Sequence, residues 1–184
     1  MVNFSIQYGR EISNQFLQRG ISTFGEACNY VKSLPYGRNT DKLDIYCVLN
    51  DNIGTCSTKH ALLKRLADEN GQPGIELVMG IFRMNAQNTP QTKKVLSEYG
   101  LTYIPEAHNY LKYNGSVIDC TTTKTLNFQS DLLEESIIEP EQITDYKVSY
   151  HKQFLSEWLK TAQLPYTLDE IWTIREKCIA ALGQ

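Results

Sequence analysis

The sequence lacks the features of a membrane protein, a nucleic-acid-binding protein or a secreted protein. No stretch approaches eighteen consecutive apolar residues, so we expect no membrane-spanning helix. Basic residues are scattered, with no run longer than Lys93-Lys94, and the net charge of −3 gives no general attraction to nucleic acid or to anionic membranes. The first eight residues lack the basic start and apolar core of a signal peptide, and we therefore expect the protein in the cytoplasm.

Cysteine pairs at metal-binding or redox-motif spacing are also missing. The five cysteines lie at positions 28, 47, 56, 120 and 178, and none forms a C-x-x-C pair. In a reducing cytoplasm this spacing predicts free thiols, most of them small core residues, rather than a zinc knuckle or a thioredoxin-type dithiol. We predict no cofactor and no metal ion.

No repeat, low-complexity tract or linker divides the 184 residues, so the sequence predicts a single domain over residues 1–184. Helical spacing or capping signals mark five helices: 23–33, 56–69, one between Thr89-Pro90 and Gly100, and a C-terminal helical part (about 140–184) with helices at 140–160 and 168–182 closed by Gly183. Segment 43–49 reads as strand or helix, residues 50–54 as a loop, and residues 75–84 as a buried strand. The mixture predicts an α+β fold.

A β-hairpin is predicted over residues 108–113 and 116–121. Asn114-Gly115 is the preferred residue pair of a two-residue type I′ turn. In that register Leu111 faces Ile118, and side-chain alternation places His108 and Asp119 on one face as diagonal neighbours. The carboxylate is then able to hold one ring nitrogen of the histidine and leave the other for a thiol.

Cys56 lies where the loop at 50–54 gives way to a helix. A thiol at a helix N-terminus faces backbone N–H groups and the positive end of the helix dipole, and both favour the reactive thiolate. Cys120 falls on the hairpin face opposite His108, which favours a core thiol there and leaves Cys56 as the better nucleophile. Cysteine, histidine and aspartate in this order suggest covalent thiol catalysis.

The run Gly54-Thr55-Cys56-Ser57-Thr58-Lys59-His60-Ala61-Leu62-Leu63, a following strand, and His108…Asn114-Gly115…Asp119-Cys120-Thr121 together resemble the core of the transglutaminase-like superfamily. The match covers about residues 45–121. The resemblance implies a papain-like fold, in which a nucleophile helix packs on an antiparallel sheet. It also implies that Cys56 is the nucleophile, His108 the base and Asp119 the orienting acid. The superfamily includes transamidases, peptidases, amidases and inactive members, and Cys120 stands where many members have proline.

Seven further residues are candidates for substrate binding: Arg38, Asn39, Asn50, Asn52, His60, Glu106 and Tyr110. Arg38, in a polar loop with Asn39, offers a planar fork for a carboxylate or phosphate, and Asn50 and Asn52 are candidate second donors of an oxyanion hole. Glu106 is placed to tune His108 or bind an amine. Ordinary turn, surface or packing roles are the alternatives for all of them, and His60 is most simply a helix residue near the pocket.

The leading hypothesis is therefore a cysteine-dependent amide hydrolase or acyltransferase acting on a peptide, a protein or a small amide. Water is favoured over an amine as acyl acceptor because it needs no second substrate site, which favours a peptidase or amidase. A catalytically silent peptide- or protein-binding module is the alternative. A metal site built from Cys56, His60 and His108 is a weaker third possibility. The sequence does not specify an oligomeric state.

Overall fold

The computed structural model describes residues 2–124 and 126–182 and confirms the predicted α+β class. The described part contains seven α-helices: α1 (Glu11–Gln18), α2 (Phe24–Ser33), α3 (Cys47–Asp51), α4 (Cys56–Glu69), α5 (Lys93–Glu98), α6 (Asp145–Thr161) and α7 (Leu168–Ala181). It also contains four strands: β1 (Ile75–Asn85), β2 (Tyr103–Tyr113), β3 (Ser116–Ile118) and β4 (Leu132–Ile137). No helix among these is long and apolar enough to cross a membrane.

The four strands form one antiparallel sheet in the order β3-β2-β1-β4. The β2–β3 hairpin has the predicted register, with Leu111 opposite Ile118 and Tyr113 opposite Ser116. Its two loop residues, Asn114 and Gly115, have φ angles of 47° and 76°, as a type I′ turn requires. The predicted turn and register are therefore confirmed, although β3 ends at Ile118, before Asp119.

Helix α2 begins and ends where its sequence signals place it. The Thr23 hydroxyl accepts the Glu26 N–H, and the Glu26 carboxylate accepts the Thr23 N–H, so both halves of the capping box are formed. The helix ends at Ser33, ahead of Pro35. The predicted helix over residues 23–33 is confirmed.

Helix α1 was not predicted, and its first turn shows why. Arg10 provides no side-chain cap. The Glu69 carboxylate, from the last residue of α4, instead accepts the N–H groups of Ile12 and Ser13 at 2.9 and 2.7 Å. The capping group is thus 56 or 57 residues away in sequence, where no local pattern indicates it.

The segment between α2 and α4 corrects one prediction. Residues 47–51 are the short helix α3, so segment 43–49 contains no strand, and Asn50 and Asp51 belong to a helix rather than to the predicted loop. Asn52 ends this helix in the left-handed conformation with φ 53°. Asparagine tolerates that conformation better than most residues, which allows the chain to turn directly into α4.

Two further predictions need adjustment. Pro90 starts a 3₁₀ turn, Pro90–Thr92, that leads into α5, and the Thr89 hydroxyl donates to Asn88 Oδ1 instead of capping that turn. The C-terminal part starts with a second 3₁₀ turn, Pro140–Ile143, before α6. The predicted helix at 168–182 is confirmed as α7, whereas its predicted stop at Gly183 lies outside the described residues.

The chain divides into two compact units. The first comprises residues 1–79, 109–125 and 136–144, and contains α1 to α4 and the β2–β3 turn. Its core is formed by buried side chains that include Phe16, Phe24, Leu62, Leu63, Leu66 and Ile75. The second comprises residues 80–108, 126–135 and 145–184, with a core that includes Phe82, Met84, Ile104, Phe128, Leu155 and Ile171.

Candidate functional site

Cys56 is the first residue of α4, as predicted. The helix is capped by Thr55, whose hydroxyl accepts the Thr58 N–H, while the Thr58 hydroxyl accepts the Thr55 N–H at 3.0 Å. The amides of the first turn of a helix have no partner within the helix, and the helix dipole adds positive potential there. Cys56 is 7% exposed, and its Sγ lies 4.0 Å from Ser57 Oγ.

The loop before α4 is tied to this first turn by Asn39. The Asn39 side-chain oxygen accepts from the Thr58 hydroxyl at 2.7 Å, and its amide nitrogen donates to Ile53 O at 2.8 Å and to Asp51. Gly54, the residue before the cap, pairs with Tyr36 in a parallel bridge. Asn39 therefore stabilises the approach to α4, and its polar atoms are engaged within the first unit.

The remaining polar candidates in this loop region face solvent. Arg38 and Asn52 are exposed. Asn50 is also exposed, and its amide donates to Asp44 Oδ2 at 3.0 Å. The substrate-binding role of Arg38 and the oxyanion-hole role of Asn50 and Asn52 remain predictions.

Asp119 follows β3 directly, and its carboxylate is turned back towards the chain that follows. Its Oδ1 accepts the Thr121 N–H at 2.9 Å and lies 3.6 Å from His60 Nε2. The side chain is 20% exposed, whereas His60 is fully buried. The structure thus brings Asp119 next to a histidine of α4 within the first unit.

His60 connects the start of α4 with the segment after β3. Its Nδ1–H donates to the Cys56 carbonyl at 2.7 Å, and its Nε2 accepts the Cys120 N–H at 2.7 Å. These two bonds define the Nδ1–H tautomer and use both ring nitrogens. His60 is therefore a packing and bridging residue, one of the roles that the sequence suggested.

The engagement of His60 bears on the metal hypothesis. A metal ligand needs a ring nitrogen with an available lone pair, and the Nε2 lone pair of His60 already accepts an amide N–H. Among residues 2–124 and 126–182, no group of three or more His, Cys, Asp or Glu side chains is arranged to hold a metal ion. The Nε2 of His60 is therefore not available as a ligand for the three-ligand site of Cys56, His60 and His108.

Lys59 was not singled out from the sequence, yet it is fully buried on α4. Its ammonium donates to Leu34 O at 2.6 Å and to Thr121 O at 2.7 Å. Burial lowers the pKa of Lys59 to about 8, and the nearby negative groups, Asp119 among them, oppose the shift. The helical spacing is the signal that points to it, because Lys59 precedes Leu62, Leu63 and Leu66 by three, four and seven residues and therefore lies on the same apolar face of α4.

The cysteines other than Cys56 differ in environment, and all are free and buried. Burial raises the pKa of Cys47 and of Cys178 to about 11, which makes both unreactive at neutral pH. A hydrogen bond joins Cys28 and Cys120, and it lowers the pKa of Cys120 while raising that of Cys28. Cys120 is 2% exposed, in agreement with its predicted place in the core.

A second residue that sequence reasoning missed is Asn109. It is fully buried in β2, accepts from the Ser57 hydroxyl at 3.0 Å and donates to Val78 O at 3.2 Å. It therefore joins the second residue of α4 to two strands. No pattern in the strand marks it, because β2 also carries Glu106, His108 and Lys112. Its burial depends on these partners, since a buried amide needs partners for both its donor and its acceptor.

Tyr110, the next residue of β2, is fully buried in the first unit.

His108 lies in β2 and belongs to the second unit, whereas Cys56 and Asp119 belong to the first. It is 5% exposed, and its ring packs edge-on against Phe128 and Phe82 with centroid distances of 4.9 and 6.2 Å. Aromatic packing of this kind restricts the orientation of the ring. Its predicted role as the base stays a prediction.

Glu106, two residues before His108, forms a buried ion pair with Arg175 of α7. Arg175 Nε donates to Oε2 at 2.7 Å, and its Nη2 donates to Oε1, so the pair is bidentate. Burial raises the pKa of Glu106, but the charge and hydrogen bonds of Arg175, together with the charges of His151 and Lys147, outweigh it and the net pKa is lowered. The Glu106 charge is thus balanced inside the second unit.

Comparison with known proteins provides no relative from which a function can be transferred. No family model, no curated protein and no solved structure matches the chain.

Proposed function

We propose that the protein is a cysteine-dependent amide hydrolase or acyltransferase with a papain-like, transglutaminase-type core that acts in the cytoplasm. Cys56 is the nucleophile, His108 carries the proton and Asp119 orients the histidine. The observation that carries the proposal is the position of Cys56 at the first residue of a capped helix whose next turn contacts the Asp119–Thr121 segment. A helix start favours the thiolate, which is the form that attacks a carbonyl.

The reaction follows from the chemistry of these groups. The Cys56 thiolate adds to the amide carbonyl, and the backbone N–H groups at the start of α4 stabilise the oxyanion. His108 gives its proton to the leaving amine as the C–N bond breaks, which produces a thioester on Cys56. A water molecule, or an amine in a transamidase, then gives its proton to His108, attacks the thioester and releases the thiolate.

Water is the proposed acyl acceptor, and the proposed substrates are a peptide, a protein or a small amide. Hydrolysis needs no second substrate site, whereas transamidation requires that the amine be bound and water be excluded. Neither nucleic acid nor a membrane is proposed as a partner, because the net charge is −3 and the basic residues are scattered.

A thiol-directed activity probe tests the nucleophile. The intact protein is treated at neutral pH with a chloroacetamide probe, and the labelled peptides are identified by mass spectrometry. We expect a single labelled peptide that contains Cys56, and loss of labelling in Cys56→Ala. Cys47→Ala is the matched control, because burial raises the pKa of that thiol to about 11. Equal labelling of Cys56→Ala and the wild type would exclude Cys56 as nucleophile.

One observation favours the second candidate function, a catalytically silent binding module. Cys56 is 7% exposed, so access to its thiol is narrow. In such a module the native protein does not react with iodoacetamide at Cys56, even at a pH where thiols ionise. Reaction of Cys56 in the folded protein, faster than that of Cys47, supports the enzyme and contradicts the module.

A further inference from the structure

Two consecutive residues of α4, Lys59 and His60, contact the three residues that follow β3. Lys59 Nζ donates to Thr121 O at 2.7 Å, and His60 Nε2 accepts the Cys120 N–H at 2.7 Å. The Thr121 N–H in turn donates to Asp119 Oδ1 at 2.9 Å. The segment Asp119–Thr121 is therefore bound to α4 through two backbone atoms, and the carboxylate of Asp119 is held by the same segment.

Lys59 and His60 also lie close to Cys56 on α4. His60 donates through Nδ1 to the Cys56 carbonyl, so one imidazole ring bridges the backbone of Cys56 and that of Cys120. Lys59 is three residues after Cys56 and therefore lies on the same side of the helix. Its second carbonyl partner, Leu34, follows directly after α2, so the ammonium also connects that helix to the segment.

These contacts are costly to build, which argues for a specific use. Burying an ammonium group removes it from water, and a buried cation usually requires a carboxylate partner. Lys59 is fully buried and donates to two carbonyl oxygens instead. A leucine or methionine would fill the same space at less cost, but it would leave the Thr121 and Leu34 carbonyls without these donors.

The geometry points to Lys59 and His60 as positioning residues that hold Asp119 at a fixed distance from the first turn of α4. Neither residue contacts the substrate in this inference; both act through the backbone of Cys120 and Thr121. The inference depends on the proposed function, because it is the role of Asp119 as the orienting acid that gives its position a consequence. If Asp119 is displaced, it orients His108 less well, and the thiolate–imidazolium pair of Cys56 and His108 is less stable at low pH.

The test measures the pH dependence of Cys56 labelling by the chloroacetamide probe in four variants. His60→Asn retains a donor at the Nδ1 position and loses the acceptor for Cys120, whereas His60→Gln retains an acceptor near Nε2. Lys59→Met removes the donors, and Lys59→Arg keeps them. We expect labelling at pH 6 to fall at least tenfold in His60→Asn and Lys59→Met. At pH 9.5, where hydroxide forms the thiolate directly, we expect rates within twofold of wild type.

Two controls on the same helix separate positioning from loss of stability. Lys64→Met removes a lysine that pairs with Asp68, away from the segment, and Leu66→Ala leaves a cavity in the core. Both should retain the wild-type pH profile, even where Leu66→Ala lowers the melting temperature as much as His60→Asn does. Retention of the profile in His60→Gln and Lys59→Arg supports the inference.

The failures of the two proposals are distinguishable. If Asp119→Asn lowers labelling at pH 6 while His60→Asn and Lys59→Met do not, the positioning role is wrong and the proposed function stands. If Cys56→Ala labels as strongly as the wild type, the proposed function is wrong. A uniform loss of labelling at every pH in His60→Asn and Lys59→Met, equal to that of Leu66→Ala, would also overturn the positioning role.

Discussion

The buried ion pair of Glu106 and Arg175 allows a quantitative test of how the second unit is stabilised. The two side chains are 8% and 14% exposed, and their bonds are bidentate. Removing one partner of a buried pair leaves an uncompensated charge and costs about 3–5 kcal/mol. The perturbation consists of Arg175→Met, Glu106→Leu and the double variant.

The structure predicts that the two single substitutions are unequal. After Glu106→Leu, Arg175 keeps its bond to Glu176 at 2.6 Å and its stacking on Trp172 at 5.1 Å. That arginine remains partly compensated, and we expect a loss of about 2 kcal/mol, close to one charge-assisted hydrogen bond. After Arg175→Met, the Glu106 carboxylate stays buried without its bidentate partner, and we expect about 4 kcal/mol. The double variant should lose less than the sum.

Tryptophan fluorescence is a suitable assay, because both tryptophans of the chain, Trp158 and Trp172, lie on α6 and α7 in the second unit. Urea unfolding followed by this signal gives the free energy of unfolding for each variant. Additive losses in the double variant, or a larger loss in Glu106→Leu than in Arg175→Met, would show that the ion pair does not stabilise the second unit in this way. Because the pKa of Glu106 is lowered in the folded state, the stabilisation is present above the unfolded-state pKa of about 4.3 and is lost as the pH falls through the folded-state pKa.

Three further predictions concern the first unit. Lys59, with a folded-state pKa of about 8, binds fewer protons than in the unfolded chain between pH 8 and about 10.4, so the stability of the wild type relative to Lys59→Met should rise across that window; a constant difference in urea midpoint would contradict this. Gly54→Ala should cost about 1–3 kcal/mol in thermal unfolding, because its added Cβ would lie 2.9 Å from a carbon of Lys59; an unchanged melting temperature would show that the turn adjusts freely. Gly115→Ala should cost about 1–2 kcal/mol because of its φ of 76°, while Asn114→Gly should be tolerated, and the reverse order would exclude the type I′ turn.

The elements that sequence reasoning located are those whose signals are local. The capping box at Thr23, the helical spacing after Cys56 and the Asn114-Gly115 turn each lie within a few residues of the structure that they specify. The hairpin register followed from the turn, because a two-residue loop leaves one pairing. Local chemistry determines such elements, and here it determined them correctly.

The elements that were missed depend on distant contacts. Helix α1 is capped by Glu69, and β4 is a short strand that pairs beside β1 across more than forty residues of intervening chain. The sequence of β4, Leu132–Ile137, carries two adjacent glutamates and therefore lacks the alternation of a half-buried strand. Its pairing is decided by the sheet and not by its own residues.

The residues of the candidate site also differ in whether local sequence or distant contacts determine their positions. The position of Cys56 at a helix start was predicted from the loop residues before it and the helical spacing after it, whereas the buried positions of Lys59 and Asn109 were not predicted. A polar residue is placed in the interior only if its partners are there, and those partners are backbone carbonyls and a serine more than twenty residues away. Any residue type supplies a backbone carbonyl, so no sequence motif identifies these partners.

The contact between Glu69 and α1 links the order of folding to the order of synthesis. The N–H groups of Ile12 and Ser13 leave the ribosome 56 or more residues before the carboxylate that receives them. An eight-residue helix is too short to persist alone in water, so α1 acquires its structure only once α4 is complete. We therefore expect α1 to become ordered no earlier than α4, and Glu69→Gln should release it while α4 remains folded.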